Sequence, residues 1–222
     1  LSIIDLDKRS NQPFTYNGTV LIFNGEIYNY VEIRKTLEEL GHTFITKGDT
    51  EVLIHALCQW GQNAHDRLEG MWAFAWYVEK EGTLLLSRDR FAEKPLYFWQ
   101  NNNGFYFSSE IKGLAALAGE WPKINENHLL RNLVNGYRSL YKTRETFFRE
   151  VRELPAGNFL KLNSTNNISF QKYWNFSPIE KKKIEYSDVI ETTKERVINA
   201  VQLRMRSDVP VAFCMSGGVD SN

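Results

Sequence analysis

The sequence predicts an α+β fold with largely antiparallel sheets over its first 176 residues. Short apolar runs mix with amphipathic helical segments, without the strict strand–helix alternation of a parallel sheet. Several of these runs are joined in pairs by short turns that contain Asn or Gly, as in β-hairpins. After residue 186, a long helical segment leads into a short apolar run and a glycine pair, which is typical of the start of an α/β nucleotide-binding domain.

The first 60 residues predict two strands and two helices. An apolar run at residues 1–6 predicts a strand, and residues 19–24 predict another that ends at an Asn-Gly turn signal. Apolar residues at helical spacing predict a helix over residues 30–40. A second helix is predicted over residues 50–60, because Asp49 is a favourable N-cap and Gly61 follows the last apolar residue.

Hairpins, two short helices and a linker follow. The further predicted strands are residues 73–78, 83–87, 96–99, 105–108, 159–162 and 168–173, and the further predicted helices are residues 110–117 and 126–135. The polar segment 177–186 predicts a linker, residues 187–205 a long amphipathic helix, and residues 211–215 a buried strand. We therefore expect one domain over residues 1–176 and the beginning of a second over residues 187–222.

Composition excludes several classes of protein. Lys and Arg together number 27, as do Asp and Glu, so the chain lacks the basic excess of proteins that bind nucleic acid or acidic membranes. No apolar run approaches the roughly 18 residues that a membrane span needs. Two cysteines form no disulfide framework, so we expect a reducing, cytoplasmic location. Four scattered histidines without a CxxC pair predict no zinc site.

The segment SGGVDS at residues 216–221 is the strongest local signal. Its two glycines let the backbone approach a ligand, and successive N–H groups at a helix start bind anions. The lysine of a Walker A loop is absent, and the segment instead matches the pyrophosphate-binding loop of enzymes that cleave ATP to AMP and pyrophosphate. The alternative is an ordinary strand–helix turn with Asp220 as N-cap.

Two other positions admit both a structural and a functional interpretation. Asn24 and Gly25 fit a hairpin turn equally as well as an oxyanion hole made of a side-chain amide and a backbone N–H. Asp49 by itself is best explained as an N-cap, although its carboxylate is also suited to bind a substrate ammonium group.

Two other features favour structural roles. The dense charges of residues 88–97 predict a salt-bridged loop that fixes the fold rather than a catalytic site. Cys58 lies on an apolar helix face and Cys214 in the predicted strand before the glycines, so both are expected to be buried structural thiols.

A family resemblance covers essentially the whole chain, from Leu1 to Asn222. The segments that carry it are NGEIYNY, KGDTEV, LEGMWAFAWY, SRDRFAEKPLYF, FSSEIKGL, ELPAGNFL and SGGVDS. In this order they resemble the glutamine-hydrolysing asparagine synthetases, which join a class II amidotransferase domain to an ATP-pyrophosphatase synthetase domain. The resemblance implies an N-terminal-nucleophile fold with four αββα layers, followed by the first helix, strand and phosphate loop of the synthetase domain.

The resemblance also implies the reaction. A cysteine at the mature N-terminus attacks glutamine, giving a glutamyl thioester and ammonia. ATP and Mg²⁺ activate aspartate as an acyl-adenylate, and ammonia carried through an internal channel converts it to asparagine, AMP and pyrophosphate. The implied partners are glutamine, aspartate and ATP, without nucleic acid or membrane, and the implied assembly is a homodimer.

Site residues are implied at matching positions. For glutamine, the resemblance assigns Leu1 and Ile3 to the pocket edge, Asn24 and Gly25 to the oxyanion hole, Glu26 to a substrate contact, and Asp49 to the α-ammonium. For ATP, it assigns Ser216, Gly217, Gly218 and Ser221 to pyrophosphate, Asp220 to Mg²⁺, and the backbone of Cys214 to adenosine.

The chain departs from the family pattern at several points. Neither Cys58 nor Cys214 occupies the place of the nucleophile, and the arginine expected immediately before Leu1 is missing. We therefore expect a fragment truncated at both ends and inactive by itself. Ala92 stands where the family usually has Gly, which costs about 1 kcal/mol if φ is positive there.

Three alternatives stay open. They are an ATP-dependent amidotransferase of this architecture with another carboxylate acceptor, a tRNA-thiolating enzyme with a similar loop, and a non-catalytic homologue. The zero net charge and the late position of the loop argue against the tRNA enzyme.

Overall fold

The computed structural model describes residues 3–137, 140, 144–177 and 185–219. Most of the linker predicted at 177–186 therefore lies outside the described residues, as do Leu1, Asp220 and Ser221.

A six-stranded antiparallel sheet forms the larger half of the fold. Its strands run in the order β1-β2-β3-β4-β8-β9, and each pairs with its neighbour in antiparallel register. Their bounds are Phe14–Tyr16 (β1), Thr19–Ile27 (β2), Gly70–Val78 (β3), Thr83–Arg88 (β4), Asn158–Leu162 (β8) and Ile168–Lys172 (β9). The β2–β3 ladder is the longest, and it determines the position of the candidate site at the end of β2.

A three-stranded antiparallel sheet in the order β6-β5-β7 faces the first one. Its strands are Tyr97–Asn101 (β5), Gly104–Ser108 (β6) and Arg152–Glu153 (β7). The helices are Tyr30–Glu39 (α1), Asp49–Trp60 (α2), Ile111–Ala118 (α3), Glu126–Asn135 (α4) and Tyr186–Arg204 (α5). Short 3₁₀ helices occupy Lys8–Ser10, Gly61–Asp66 and Glu79–Glu81.

Three apolar clusters define four layers. The first joins α1 and α2 to the outer face of the large sheet, with Leu37, Leu57 and Phe74 at its centre. The second lies between the two sheets, and the third packs α3 on the outer face of the small sheet. The order helix, sheet, sheet, helix confirms the αββα sandwich, because each sheet buries one face on the other and one on helices.

Most of the predicted elements are present, with bounds that differ by a few residues at either end. The strand predicted over residues 1–6 is wrong for its described part: residues 3–6 carry no strand pairing, and Asp5 has a left-handed φ of 50° that interrupts an extended chain. The predicted turn at Asn24-Gly25 is also wrong, because β2 continues through both residues to Ile27. The N-cap of α2 is Gly48, and Asp49 is the first helical residue.

The C-terminal segment differs from its prediction in one respect. Helix α5 forms within one residue of the expected bounds, but the strand predicted over residues 211–215 does not form. These residues are exposed and pair with no described strand, and a single extended segment has no ladder to stabilise it. Cys214 is consequently exposed rather than buried, and Cys58, also expected to be buried, is half-buried where it packs against the first cluster.

Among the described residues, no helix combines the length and apolar character needed to cross a bilayer.

Candidate functional site

A cavity of about 290 Å³ lies where β2 ends and α2 begins. Gly25 and Glu26 from β2 line it together with Asp49 from the first turn of α2. The segment around Ile3 forms its opposite wall. Four of the six residues assigned to glutamine thus border one cavity, although they lie far apart in sequence. Leu1, the fifth, is outside the described residues, and Asn24, the sixth, lies elsewhere.

The backbone of β2 turns one row of N–H groups toward this cavity. Trp72, which pairs with Gly25 across the β2–β3 ladder, makes its backbone hydrogen bonds to Asp89 on the far side of β3. Gly25 and Trp72 therefore form a non-hydrogen-bonded pair, and the Gly25 N–H points away from β3. β1 begins at Phe14, opposite Leu21, so no strand of the described residues covers this part of the β2 edge.

Side chains cover the positions on either side of Gly25. The Phe23 N–H donates to Gln12 Oε1 at 2.6 Å, and the Ile27 N–H donates to Asp49 Oδ2 at 3.0 Å. Between them the Gly25 N–H faces the cavity, where it can donate to an oxygen of a bound molecule. The role of Gln12 was not predicted from the sequence, because it depends on this part of the β2 edge having no strand paired to it.

Glycine is required at position 25 by the close approach of β3. A Cβ there would lie 2.1 Å from Met71 O and 2.8 Å from Trp72 Cα, and both are backbone atoms. Gly70 faces a similar restriction, because its Cβ would lie 2.1 Å from Glu26 O. These two glycines let the strands run close together at the cavity.

Two buried carboxyl groups give the cavity its electrostatic character. Glu26 is 3% exposed, and its Oε1 has no hydrogen-bond partner among the described residues. Burial, reinforced by the charge of Asp49, raises the pKa of Glu26 to about 7. Burial likewise raises the pKa of Asp49 to about 6, against the opposing effect of the hydrogen bond from Ile27. A cationic group in the cavity would favour the charged form of both.

Asn24 faces a different cleft, of about 540 Å³, on the side of β2 that faces the small sheet. Its Nδ2 donates to Ser109 Oγ at 3.4 Å. Asn24 lines only this cleft and Gly25 only the cavity at the end of β2, so the two residues border different spaces in this structure. The oxyanion hole assigned to this pair stays a prediction.

The glycine-rich loop is exposed in its described part. Gly217 has a φ of 78°, a left-handed conformation that glycine adopts without strain, and the Gly218 N–H donates to Ser216 Oγ at 3.5 Å. Asp220 and Ser221 lie outside the described residues, so their assigned roles stay predictions. No group of three or more His, Cys, Asp or Glu side chains suited to a metal ion occurs within the described ranges.

The charged loop 88–97 has the structural role predicted for it. Arg88 is buried and forms an ion pair with Glu153 at 2.8 Å. The fully buried Asp89 accepts backbone N–H groups from Trp72, Phe91, Glu93 and Lys94. The loop thereby connects β4 to the small sheet.

A larger cavity of about 1210 Å³ lies at the opposite end of the β2–β3 ladder and contains none of the assigned residues. It borders Cys58 and Trp76, and its rim mixes lysine and glutamate side chains. Its size does not make it the site, because none of the buried charged side chains that the structure describes lines it.

Comparisons with known proteins agree with this geometry. Residues 1–174 match the family described as a glutamine amidotransferase domain, and residues 192–222 match asparagine synthase. Glutamine-hydrolyzing asparagine synthetase 1 of Bacillus subtilis (strain 168) is 34% identical over 228 residues, covering 100% of this chain and 34% of that protein. Amidase chry2 of Gibberella zeae (strain ATCC MYA-4620 / CBS 123657 / FGSC 9075 / NRRL 31084 / PH-1) is 32% identical over 229 residues, covering 100% of this chain and 33% of that protein.

The chain thus spans about a third of the length of these two relatives. Among solved structures, glutamine phosphoribosylpyrophosphate amidotransferase from B. subtilis, complexed with ADP and GMP, superposes with a TM-score of 0.53 at 21% identity. The superposition covers 73% of this chain and 32% of that chain, and it concerns the fold alone. Together with the cavity at the end of β2, the match over residues 1–174 shows that the chain belongs to the glutamine amidotransferase domain family.

Proposed function

We propose that the cavity at the end of β2 binds L-glutamine, and that the protein carrying this chain is an ATP-dependent asparagine synthetase that takes its nitrogen from glutamine. The observation that carries the proposal is the meeting of Glu26, Asp49 and the Gly25 N–H in one cavity. Two buried carboxyl groups are suited to a cation, and a backbone N–H in the same cavity is suited to an oxygen. Free glutamine carries both groups.

In this proposal the substrate is oriented by its charged end. The α-ammonium group donates to the Asp49 carboxylate, Glu26 provides the second substrate contact, and Leu1 and Ile3 form the pocket edge. The Gly25 N–H and the Asn24 amide stabilise the tetrahedral oxyanion. Asn24 reaches that position only if its side chain leaves Ser109 and turns toward the cavity.

The proposed hydrolysis has two steps. A cysteine thiolate attacks the side-chain amide carbon of glutamine, and the tetrahedral intermediate collapses to a thioester as ammonia leaves. Water then cleaves the thioester to glutamate. Cys58 and Cys214 do not line the cavity, so we assign the nucleophile to neither of them.

The second half of the reaction is assigned to the glycine-rich loop. Ser216, Gly217, Gly218 and Ser221 would hold pyrophosphate, Asp220 would bind Mg²⁺, and the Cys214 backbone would contact adenosine. Aspartate would be activated as its β-acyl-adenylate, and ammonia would displace AMP to give asparagine. The match to asparagine synthase over residues 192–222 supports this half.

The glutamine site is tested by comparing the L-glutamine affinities of the Asp49→Asn variant and the unsubstituted protein, measured by calorimetric titration at pH 7.5. The amide oxygen of Asn can still accept the Ile27 N–H, so the fold is kept while the charge is lost. We expect affinity to fall at least about tenfold, which corresponds to about 1.4 kcal/mol. Glutaramate, which has the same side chain but no α-ammonium group, should bind both proteins equally weakly.

The matched control is Asp66→Asn, since Asp66 is exposed at the end of a 3₁₀ helix and does not line the cavity. Equal glutamine affinity in Asp49→Asn and the unsubstituted protein would contradict the assignment.

One comparison favours a carboxylate other than aspartate as the acceptor of ammonia. The relative named amidase chry2 matches over the whole of this chain, under a name that does not specify asparagine. The alternative is therefore an ATP-dependent glutamine amidotransferase with another carboxylate acceptor. Glutamine- and ATP-dependent product formation with aspartate, compared with a panel of other carboxylic acids, separates the two.

A further inference from the structure

The segment that follows α5 contacts the wall of the glutamine cavity. The Asp208 N–H donates to Ile3 O at 2.9 Å, and Asp208 Oδ2 accepts the Asp5 N–H at 2.8 Å. Ile3 and Asp5 both line the cavity. A residue placed eight positions before Ser216 therefore holds two residues of the opposite wall through reciprocal hydrogen bonds.

From Asp5 the contacts continue to the start of α2. Asp5 Oδ2 accepts the Lys47 N–H at 2.6 Å and the Ser10 hydroxyl at 2.9 Å. Lys47 precedes Gly48, the N-cap residue of α2, and Asp49 follows directly. A continuous path of hydrogen bonds and short backbone steps thus connects Asp208 to the carboxylate assigned to the substrate ammonium.

Arg206 anchors the same segment to the region where β2 passes into α1. Its two terminal nitrogens donate to the two Glu32 carboxylate oxygens, both at 2.6 Å, and Nη1 also donates to Tyr28 O at 2.7 Å. Tyr28 directly follows Ile27, the last residue of β2. The Arg204 guanidinium lies 4.7 Å from the centre of the Tyr28 ring.

The Arg206–Glu32 contact fixes the position of the segment more than it adds to stability. An exposed ion pair adds little to stability by itself, and Glu32 is about half exposed. A two-pronged arginine–carboxylate pair nevertheless fixes direction as well as distance, because the guanidinium is planar. Arg206 and Asp208 hold one short segment against both the β2–α1 junction and the cavity wall at Ile3 and Asp5.

We propose that Asp208 is a positioning residue for glutamine binding, which acts through Asp5 and Lys47 on the start of α2, with Arg206 as its anchor. This inference rests on the proposed function of the cavity. It assigns part of the glutamine site's scaffold to the segment that leads into the glycine-rich loop.

The test compares Asp208→Ala with Asp208→Asn in the protein that carries these residues. Asn keeps an oxygen that accepts the Asp5 N–H, whereas Ala removes it. We expect glutamine affinity to fall about fivefold in Asp208→Ala and to stay within about twofold in Asp208→Asn. In steady-state ammonia release, the KM for glutamine should rise while kcat changes little. Asp188→Ala, at an exposed position near the start of α5, is the matched control and should change neither.

Several results would overturn the inference. They are an unchanged affinity in Asp208→Ala, an equal loss in the Ala and Asn variants, or a lower melting temperature without any change in KM. Failure of the unsubstituted protein to bind glutamine would instead overturn the proposed function. In that case, hydrogen exchange at the Lys47 and Gly48 amides decides whether Asp208 holds the wall, because exchange must speed up in Asp208→Ala but not in Asp208→Asn.

Discussion

At the scale of single residues, the two carboxyl groups of the cavity oppose the stability of the fold. Glu26 and Asp49 are both buried beside one cavity, and burial raises the pKa of each, an effect that the Lys94 ammonium only partly offsets at Glu26. Ionised carboxylates lose hydration there and repel one another. Such an arrangement costs stability in the free protein, and binding of an ammonium group recovers it.

Glu26→Gln should therefore stabilise the protein in a pH-dependent way. Because the pKa of Glu26 is raised in the folded state, its destabilising ionisation is absent below about pH 4.5, its ordinary value, and complete above about pH 7. We expect the substitution to add about 1–2 kcal/mol to the free energy of unfolding at pH 8.5, less than the full shift because the cavity opens to solvent, and little at pH 4.5.

Urea denaturation at the two pH values measures this difference. Glu39→Gln, at an exposed position of α1, should show no comparable change between the two pH values. The same gain at both pH values for Glu26→Gln would show that burial of its charge is not the cause.

At the scale of elements, the loop between β4 and β5 is held from within by its first two residues. Arg88 donates to Lys94 O and Leu154 O, and Asp89 accepts several N–H groups of the loop. This network imposes a backbone path in which Ala92 takes a left-handed φ of 58°. This left-handed conformation agrees with the expectation from the family resemblance, which implies Gly at that position.

Ala92→Gly should stabilise the chain, although glycine is normally unfavourable. Relief of the left-handed strain at Cβ outweighs the larger entropy of the unfolded chain, for a net gain of about 0.5–1 kcal/mol. Ala116→Gly, at an exposed position inside α3, should instead lose about 1 kcal/mol. Chemical denaturation of both variants checks the opposite signs, and a loss in both would contradict the strain at Ala92.

Elements with a local signal were predictable from the sequence, and elements that depend on neighbours were not. Helix α4 was expected within its observed bounds, since its spacing and its Asn125 cap are local. The extent of β2 could not be predicted, because an Asn-Gly pair by itself indicates a turn. The strand continues through this pair because Gly70 of β3 lies close to it, which the sequence does not show. The strand expected over residues 211–215 fails for the same reason, because it has no described partner.

The candidate site shows the same division. The motifs identified Glu26 and Asp49, but no spacing rule places residues 23 positions apart in one cavity. The resemblance to a family supplied that expectation. Gln12 and Asp208 carry no motif, and only the folded chain shows that they reach the β2 edge and the Ile3–Asp5 wall.

At the scale of the whole molecule, the apolar clusters and the C-terminal segment are separate. None of the three clusters contains a residue after Tyr173, and α5 has no buried residue within the described part of the chain. Arg204, Arg206 and Asp208 connect the segment beyond residue 185 to the surface of the sandwich. The sandwich therefore holds its own core, which favours a domain boundary within residues 177–186.

A chain that ends at residue 177 should keep the fold of the sandwich. Only surface contacts are lost, so we expect a cooperative thermal transition about 2–4 °C below that of the 222-residue chain. Leu86→Ala in the longer chain opens a cavity between the two sheets. It should lower the free energy of unfolding by about 2–5 kcal/mol and so lower the melting temperature by more than the truncation does. Calorimetry of both proteins measures the comparison, and loss of a cooperative transition in the shorter chain would show that α5 belongs to the core. The shorter chain should also bind glutamine at least as weakly as Asp208→Ala, because it lacks the Asp208 hydrogen bond to Asp5 and also the Arg206 contacts with Tyr28 and Glu32.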